Sequence, residues 1–404
     1  MAFDRPAALV VPAMLTTLLM AATSSDEAPG WPQYRGVHRD GVTPAQVSWP
    51  EGGPRVAWRH PIGDGFSQIA VRGNAVFTGT SDEENEHLVR FNAASGKEAW
   101  RKPVGGTTVF EFGSGPRSTP TLNGDRVYFL GSKGNLVALE ASNGNPVWSV
   151  DVTERFGASP PRYGYSGSPL VVDDLLIVEV GGKEESSLVA LDKLTGETKW
   201  STLSRPAGYG SPILMETGSV RQVVLVRMKT LTSLDLGGKV LWTHELEEGA
   251  VAMPIHVGNG RIFVSASGDT GCVMLRVKKS DEGFQVEEVW KNRNMRNHFN
   301  TSVVRDGYIY GFDNATLKCL SVKTGELMWA KRGLGKGSLI VAGGRLVVLS
   351  DKGKIVLLDA TPEGYLEEGS FQALEGRSWT APSLAGGRVY LRNLTEITRL
   401  DFGG

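Results

Sequence analysis

Apolar and polar residues alternate with period two along most of the chain, in short runs broken by glycine-containing turns. The stretch STPTLNGDRVYFLGSKGNLVALEASNGNPVW, Ser118 to Trp148, contains an alternating run, an Asn-Gly break, the run RVYFLG, a Lys-Gly break, the run LVALE, and a final glycine turn into the segment holding Trp148. Alternation of this kind puts one face of each run against a core and the other outward, which predicts strands. Glycine at the breaks supplies the positive backbone angles of tight hairpins. No stretch of helical periodicity competes with this reading.

The same four-run unit recurs. Its signature reads RFNAASGKEAW (Arg90 to Trp100), ALEASNGNPVW (Ala138 to Trp148), ALDKLTGETKW (Ala190 to Trp200) and CLSVKTGELMW (Cys319 to Trp329). A shortened copy, SLDLGGKVLW, ends at Trp242, and a degenerate copy with a lengthened turn ends at Trp290. In LLDATPEGYLEEGSF the closing aromatic is Phe371, and RVAW supplies Trp58. Aromatic ends therefore follow one another at 42, 48, 52, 42, 48, 39 and 42 residues, the period of a propeller built from four-stranded blades. The last unit has room for three strands, APSLAG, RVYLRN and ITRLDFGG, whereas GPRVAW at the other end is a fourth strand with nothing before it. Pairing the two completes an eighth blade and removes the open edges. The prediction is an all-β, eight-bladed propeller over residues 54–404, closed between its N-terminal strand and its C-terminal strands, with tryptophans wedged between blades.

Composition narrows the function. Forty-three Lys+Arg stand against 44 Asp+Glu, so nothing marks the chain as a nucleic-acid binder. The 51 glycines are close to twice the usual share of about 7% and agree with many tight turns. Two cysteines, Cys272 and Cys319, are too few for a disulfide framework and are expected as buried thiols, with a bridge between neighbouring repeats as the alternative. The N-terminus has one early arginine, an apolar run from Ala7 to Ala22 broken by Pro12, then small residues. That pattern predicts a signal peptide over residues 1–24 and a periplasmic or secreted chain without a transmembrane segment. Residues 25–53 form an N-terminal extension, whose Trp31 and Trp49 predict packing against the propeller or a partner.

The AxDxxTGxxxW pattern, matched in full by Ala190 to Trp200, resembles the tryptophan-docking motif of the quinoprotein alcohol dehydrogenase-like propellers, the PQQ-type repeat. The resemblance covers nearly all of the chain after the N-terminal run. Within that superfamily the sequence is similar to a compact, exported bacterial group, PQQ-binding-like and BamB-like, through WPQYRG, RDG, KNRNMRNHFNTSV and KRGLGKGSL. The superfamily holds cofactor enzymes and non-catalytic scaffolds alike, so the fold leaves the activity open. For the enzymes the resemblance implies PQQ in the central funnel with Ca²⁺ held by Glu, Asn and Asp, a catalytic Asp, and in many a pair of adjacent cysteines. Cys272 and Cys319 are not adjacent, the chain has little beyond its blades, and no acidic loop with converging oxygens is visible.

Other catalytic patterns are weaker. The six histidines have no metal-ligand spacing, so no metal site is expected, and HELEE at His244 lacks a second histidine. GLGKGS, Gly333 to Ser338, precedes a strand and reads as a loop. What remains is a ring of residues near the start of each blade's innermost strand: Arg117, Ser118, Tyr163, Tyr165, Tyr209, Met253, Arg296, Asn297, His298, Asn300, Lys336, Ser338 and Trp379. Innermost strands line the channel of a propeller, so these positions converge. Cations, amides and aromatics around one hole suit an anionic or ring-bearing ligand; the same residues could instead satisfy backbone groups at the rim. Two functions follow. The first is an exported, monomeric, non-catalytic module that binds a protein partner or a small anionic or aromatic ligand through the funnel face. The alternative is a PQQ-dependent oxidoreductase acting on alcohols or sugars.

Overall fold

The computed structural model describes Met1 and residues 30–403; the expected signal peptide otherwise lies outside the described residues. Eight antiparallel sheets are arranged as blades, each a meander whose strands pair in sequence order. Blade 1 runs from Ala70–Arg72 to Glu98–Gly106, and blade 2 from Thr121–Asn123 to Pro146–Asp151. Blades 3 to 7 open with Leu170–Val172, Ile213–Thr217, Ile255–Gly258, Val303–Arg305 and Ser338–Ala342. Blade 8 is built from both ends: Ser383–Ala385, Arg388–Arg392 and Glu396–Asp401 are joined by Arg55–Pro61, which pairs antiparallel with the last strand from Arg55 opposite Asp401 to Pro61 opposite Glu396. The seam is thus where the alternation places it.

The core lies between the blades. Each apolar cluster draws on neighbours, as where Tyr128, Leu136 and Ala138 of blade 2 meet Leu176, Val178 and Val189 of blade 3. Across the seam, Trp58, Tyr390 and Leu400 of blade 8 pack with Val76, Val89 and Phe91 of blade 1 and with Ile340 and Leu357 of blade 7. The repeat signature has a direct meaning here. In six blades the indole reaches the turn of the next, where its Nε1 donates to a carbonyl, as Trp58 to Ala93 at 2.9 Å, Trp200 to Leu236 at 2.9 Å, Trp290 to Val322 at 3.0 Å and Trp329 to Thr361 at 2.8 Å, whereas Trp242 donates to Gln222 Oε1 of its own blade at 2.8 Å and blade 7 ends in Phe371. The ring covers that turn's glycine. At Gly196, with φ +75°, an added Cβ would come within 2.8 Å of the Trp148 ring. The glycine is therefore demanded twice, by backbone angle and by contact.

Two details differ from expectation. The degenerate copy ending at Trp290 does not have a lengthened turn; its extra residues extend Cys272–Ser280 and Gly283–Asn292, which pair to a tight Ser280–Gly283 end. A short helix, Val152–Phe156, follows blade 2, capped by the Asp151 carboxylate. Cys272 and Cys319 are buried free thiols in blades 5 and 6, and burial pushes both up to about 12.

The extension packs on the propeller and crosses its channel. Trp31, 1% exposed, bridges to Val71 of blade 1, and Val42–Thr43 adds a parallel strand to the inner edge of blade 7. Between them Arg35 donates to the carbonyls of Thr301 at 2.9 Å and Ser302 at 2.6 Å, on blade 6. Arg39 donates to Ser168 O at 3.1 Å, Pro212 O at 2.9 Å and Pro169 O, on blades 3 and 4. Both guanidiniums are almost fully buried, and burial lowers both from the ordinary arginine range. Further on, Ser48 bridges to Gly403, and Trp49 packs edge-on against Phe402 at 5.8 Å.

Candidate functional site: the funnel

Above this strap lies a funnel of about 460 Å³. One register position supplies its wall from every blade: Phe66, Arg117, Ser166, Tyr209, Val251, Phe299, Lys336 and Trp379. In seven blades this residue stands four positions ahead of the innermost strand; Lys336 stands two ahead because its strand begins early, at Ser338. Tyr34 of the strap and Gln68 contribute lower down, with the Gln68 Oε1 accepting the Arg35 N–H at 2.8 Å.

The neck is held by hydroxyls two residues further along the same register. Gln68 N donates to Thr119 Oγ1 at 3.2 Å, Thr119 N to Ser168 Oγ at 2.9 Å, Ser168 N to Ser211 Oγ at 2.8 Å, and Met253 N to Thr301 Oγ1 at 2.9 Å. Blades 2, 3, 4 and 6 thus each satisfy a buried N–H of the preceding blade. The loops preceding the innermost strands are fixed at their bases by this ladder, which sets where their side chains point.

The wall is aromatic. Trp379 stacks on Phe66 at 5.9 Å and lies 5.0 Å from Phe299 and 6.5 Å from Phe112. Phe112 continues to Tyr163 at 6.0 Å, and Tyr163 to Tyr209 at 6.1 Å. Cations are set into this belt. Arg117 lies 5.1 Å from the Phe66 ring and 4.4 Å from the Phe110 ring, with its N–H groups turned to Gly113 O and Gly115 O. Arg377 covers Trp379 at 4.6 Å and donates to Phe112 O at 2.6 Å. Lys336 Nζ stands 3.4 Å from His298 Nδ1. Burial and then the Lys336 charge lower the His298 imidazole from its ordinary value, so it is neutral at neutral pH. None of the described residues lining the funnel is a carboxylate.

Of the residues singled out in the sequence, Arg117, Tyr163, Tyr209, Met253, His298, Asn300, Lys336 and Trp379 come together in the funnel. Five others do not line it. Ser118 is buried, and its carbonyl accepts the Ser67 hydroxyl at 2.5 Å. Tyr165 points into the blade core and donates to Val180 O at 2.8 Å. Arg296 is held by Asp313 at 2.7 and 3.1 Å, where Lys318 also binds at 2.6 Å. Burial opposes the Asp313 charge, but the hydrogen bonds from Arg296 and Lys318 outweigh it and hold the carboxyl below the usual range. Asn297 donates to Phe312 O at 3.1 Å and accepts from Ser302 at 2.9 Å. Ser338 is buried, with its hydroxyl towards Thr380 O. The sequence reading missed Phe66, Phe112, Val251, Phe299 and Tyr34. Phe66, Val251 and Phe299 were available by register, since they stand where Arg117, Tyr209 and Trp379 stand; Tyr34 lies outside the repeat and leaves no such signal.

The donor set does not fit PQQ with Ca²⁺. A calcium ion asks for several converging oxygens, carboxylates among them. Of the lining amides, Gln68 gives its Oε1 to the Arg35 N–H at 2.8 Å and its Nε2 donates to Pro382 O at 2.8 Å, while Asn300 Nδ2 donates to Gly337 O at 2.9 Å. Among the described residues no group of three or more His, Cys, Asp or Glu is placed to hold a metal ion.

A family model described as outer membrane protein assembly factor BamB matches residues 84–331 and 313–402. The outer membrane protein assembly factor BamB of Yersinia pestis is 25% identical over 319 residues, 73% of this chain and 76% of that protein. Quinohemoprotein alcohol dehydrogenase ADH IIB of Pseudomonas putida is 33% identical over 148 residues, 33% of this chain and 20% of that protein. Among solved structures, BamB from Moraxella catarrhalis superposes with a TM-score of 0.62 at 16% identity, over 86% of this chain and 98% of that one. Quinohemoprotein alcohol dehydrogenase from Comamonas testosteroni gives 0.66 at 12% identity, over 92% and 80%. These two likenesses speak for the fold alone.

Proposed function

The chain belongs to the family described as outer membrane protein assembly factor BamB, and from that premise we propose that it is a non-catalytic scaffold that docks a protein partner at its funnel face. One observation carries the reading: a single register position in all eight blades delivers an aromatic and cationic wall to one opening. The apolar surface continues outside it. Phe112 is 41% exposed, Val109 81% and Met228 50%, and Met228 borders the backbone of Gly208 and Gly249, whose loops carry Tyr209 and Val251. Exposed apolar side chains beside an aromatic and cationic opening are the mark of a protein interaction site.

The relatives' name, outer membrane protein assembly factor, supports a periplasmic or secreted place for this chain, with a signal peptide over 1–24, an extension over 25–53 and the propeller over 54–404. No helix among the described residues is long and apolar enough to cross a membrane. The chain acts as a monomer in this reading. The absence of carboxylates from the described lining disfavours the oxidoreductase alternative.

Site-specific photo-cross-linking in cells that make the chain tests the proposal. A benzophenone side chain at Phe112 or Met228 is expected to give discrete protein adducts, and one at Leu366, exposed on the outer part of blade 7, is not. Equal adducts from both faces overturn funnel docking; dye reduction that depends on added PQQ and Ca²⁺ overturns the non-catalytic assignment.

A further inference from the structure

Resting on the funnel-docking reading, we infer that the docked segment is an acidic peptide: an aromatic or branched aliphatic side chain enters the funnel, and a neighbouring aspartate or glutamate meets Lys336, which His298 orients. Three observations point there. The first is charge. The chain as a whole is near neutral, at −1, yet the funnel is lined by Arg117 and Lys336, with Arg377 over Trp379, and by no carboxylate among the described residues; the buried Glu86 acts on Arg117 from behind the wall, which leaves Lys336 as the lining cation that faces no acid. Other buried cations are satisfied, Arg227 by Glu179 and Lys318 by Asp313, Arg35 and Arg39 by backbone carbonyls. A half-buried ammonium against apolar surface is unfavourable until an anion completes it.

The second observation is the division of labour among the cations. Arg117 and Arg377 spend N–H groups on backbone carbonyls of the loop 107–116 and stack on its neighbours. They hold the aromatic belt in place. Lys336 donates towards Nδ1 of the neutral His298 imidazole at 3.4 Å, which orients the ammonium and leaves its remaining N–H groups for a carboxylate. Beside them stand Phe299 and Trp379, 5.0 Å apart, a surface for an apolar side chain. An acid and an apolar anchor therefore have adjacent seats.

The third is size. A volume of about 460 Å³ takes one or two large side chains, and Val109, Phe112 and Met228 add exposed apolar side chains on loops beside the wall. A small molecule would leave that rim bare, and a folded domain could not enter the opening. A chain segment covers both.

The test is selection of a phage-displayed library of random linear peptides on the full chain, followed by anisotropy titrations of the enriched peptides. Enriched sequences are expected to place Asp or Glu close to Trp, Phe, Leu or Ile. Lys336→Glu is expected to weaken their binding about tenfold or more, Lys336→Arg to retain it, and raised salt to weaken it. Lys336→Glu is further expected to gain affinity for a peptide in which lysine replaces the acid, which a misfolded variant could not do. Enriched sequences that are basic or uncharged, lost on Trp379→Leu but indifferent to Lys336→Glu, overturn the acidic class and leave funnel docking standing. A selection in which no peptide responds to either substitution overturns both.

Discussion

At the scale of single residues, the repeat signature is a contact written twice. The tryptophan of one blade and the glycine of the next form one joint, so the motif's spacing within a blade reports a packing rule between blades. Gly196→Ala tests it. The new Cβ would sit at φ +75° and 2.8 Å from the Trp148 ring, whereas at Gly124, φ +58°, no atom lies within 4 Å. Backbone strain alone costs about 1–2 kcal/mol, and displacing a packed ring adds roughly 1–3 kcal/mol. Denaturant unfolding should therefore find Gly196→Ala less stable than Gly124→Ala by at least about 1 kcal/mol; equal losses would leave the glycine with its backbone role only. The funnel wall was equally legible, but by register and not by residue type. Choosing conspicuous residues found Arg117, Tyr209, Lys336 and Trp379 in the wall position, and in blades 3 and 6 drew attention to Tyr165 and Asn297, which face inward. Counting back from the hairpin that ends each innermost strand lands on Ser166 and Phe299.

At the scale of elements, alternation gave the strands and glycine the turns, so the four-stranded grammar of each blade could be read directly. How strands of different blades are tied together could not, because those ties run through single polar contacts with no period. The Glu179–Arg227 pair is one. It joins the end of Leu175–Glu179 in blade 3 to the end of Val220–Arg227 in blade 4 at 3.3 Å, with both side chains under 5% exposed. It lies below Gly208, next to Tyr209 of the wall. Burial raises the Glu179 carboxyl from 4.5 to about 7, against the opposing pull of Arg227. The folded state thus binds the proton more tightly than the unfolded chain, so this group's contribution is fully present below about pH 4.5 and is lost as pH rises through about 7. Glu179→Gln removes the titration. Between those limits the stability of the parent is expected to fall relative to the variant, by an amount of the order of a few kcal/mol. Chemical denaturation of both proteins across that window checks it; parallel curves would mean that Glu179 stays ionised throughout.

For the whole molecule, ring closure and the strap do different work. Closure was foreseeable, since an unmatched fourth strand at one end and a three-strand remainder at the other have one economical solution. The strap was not: Arg35 and Arg39 fasten it by donating to carbonyls of blades 3, 4 and 6, and a carbonyl acceptor leaves no trace in the side-chain sequence. The two devices should separate on truncation. A chain ending after Asn393 loses Glu396–Asp401, which lies between Arg388–Arg392 and Arg55–Pro61, so blade 8 cannot form and two edges are opened. That chain is expected to aggregate or to lose its single unfolding transition. A chain starting at Glu51 keeps every blade strand and the seam. It gives up the buried Trp31 and the guanidiniums that satisfy neck carbonyls, so a single transition at lower temperature is expected by calorimetry. Were removal of residues 1–50 to abolish cooperative melting as completely as removal of the last strand, the strap and not the seam would be what closes the ring.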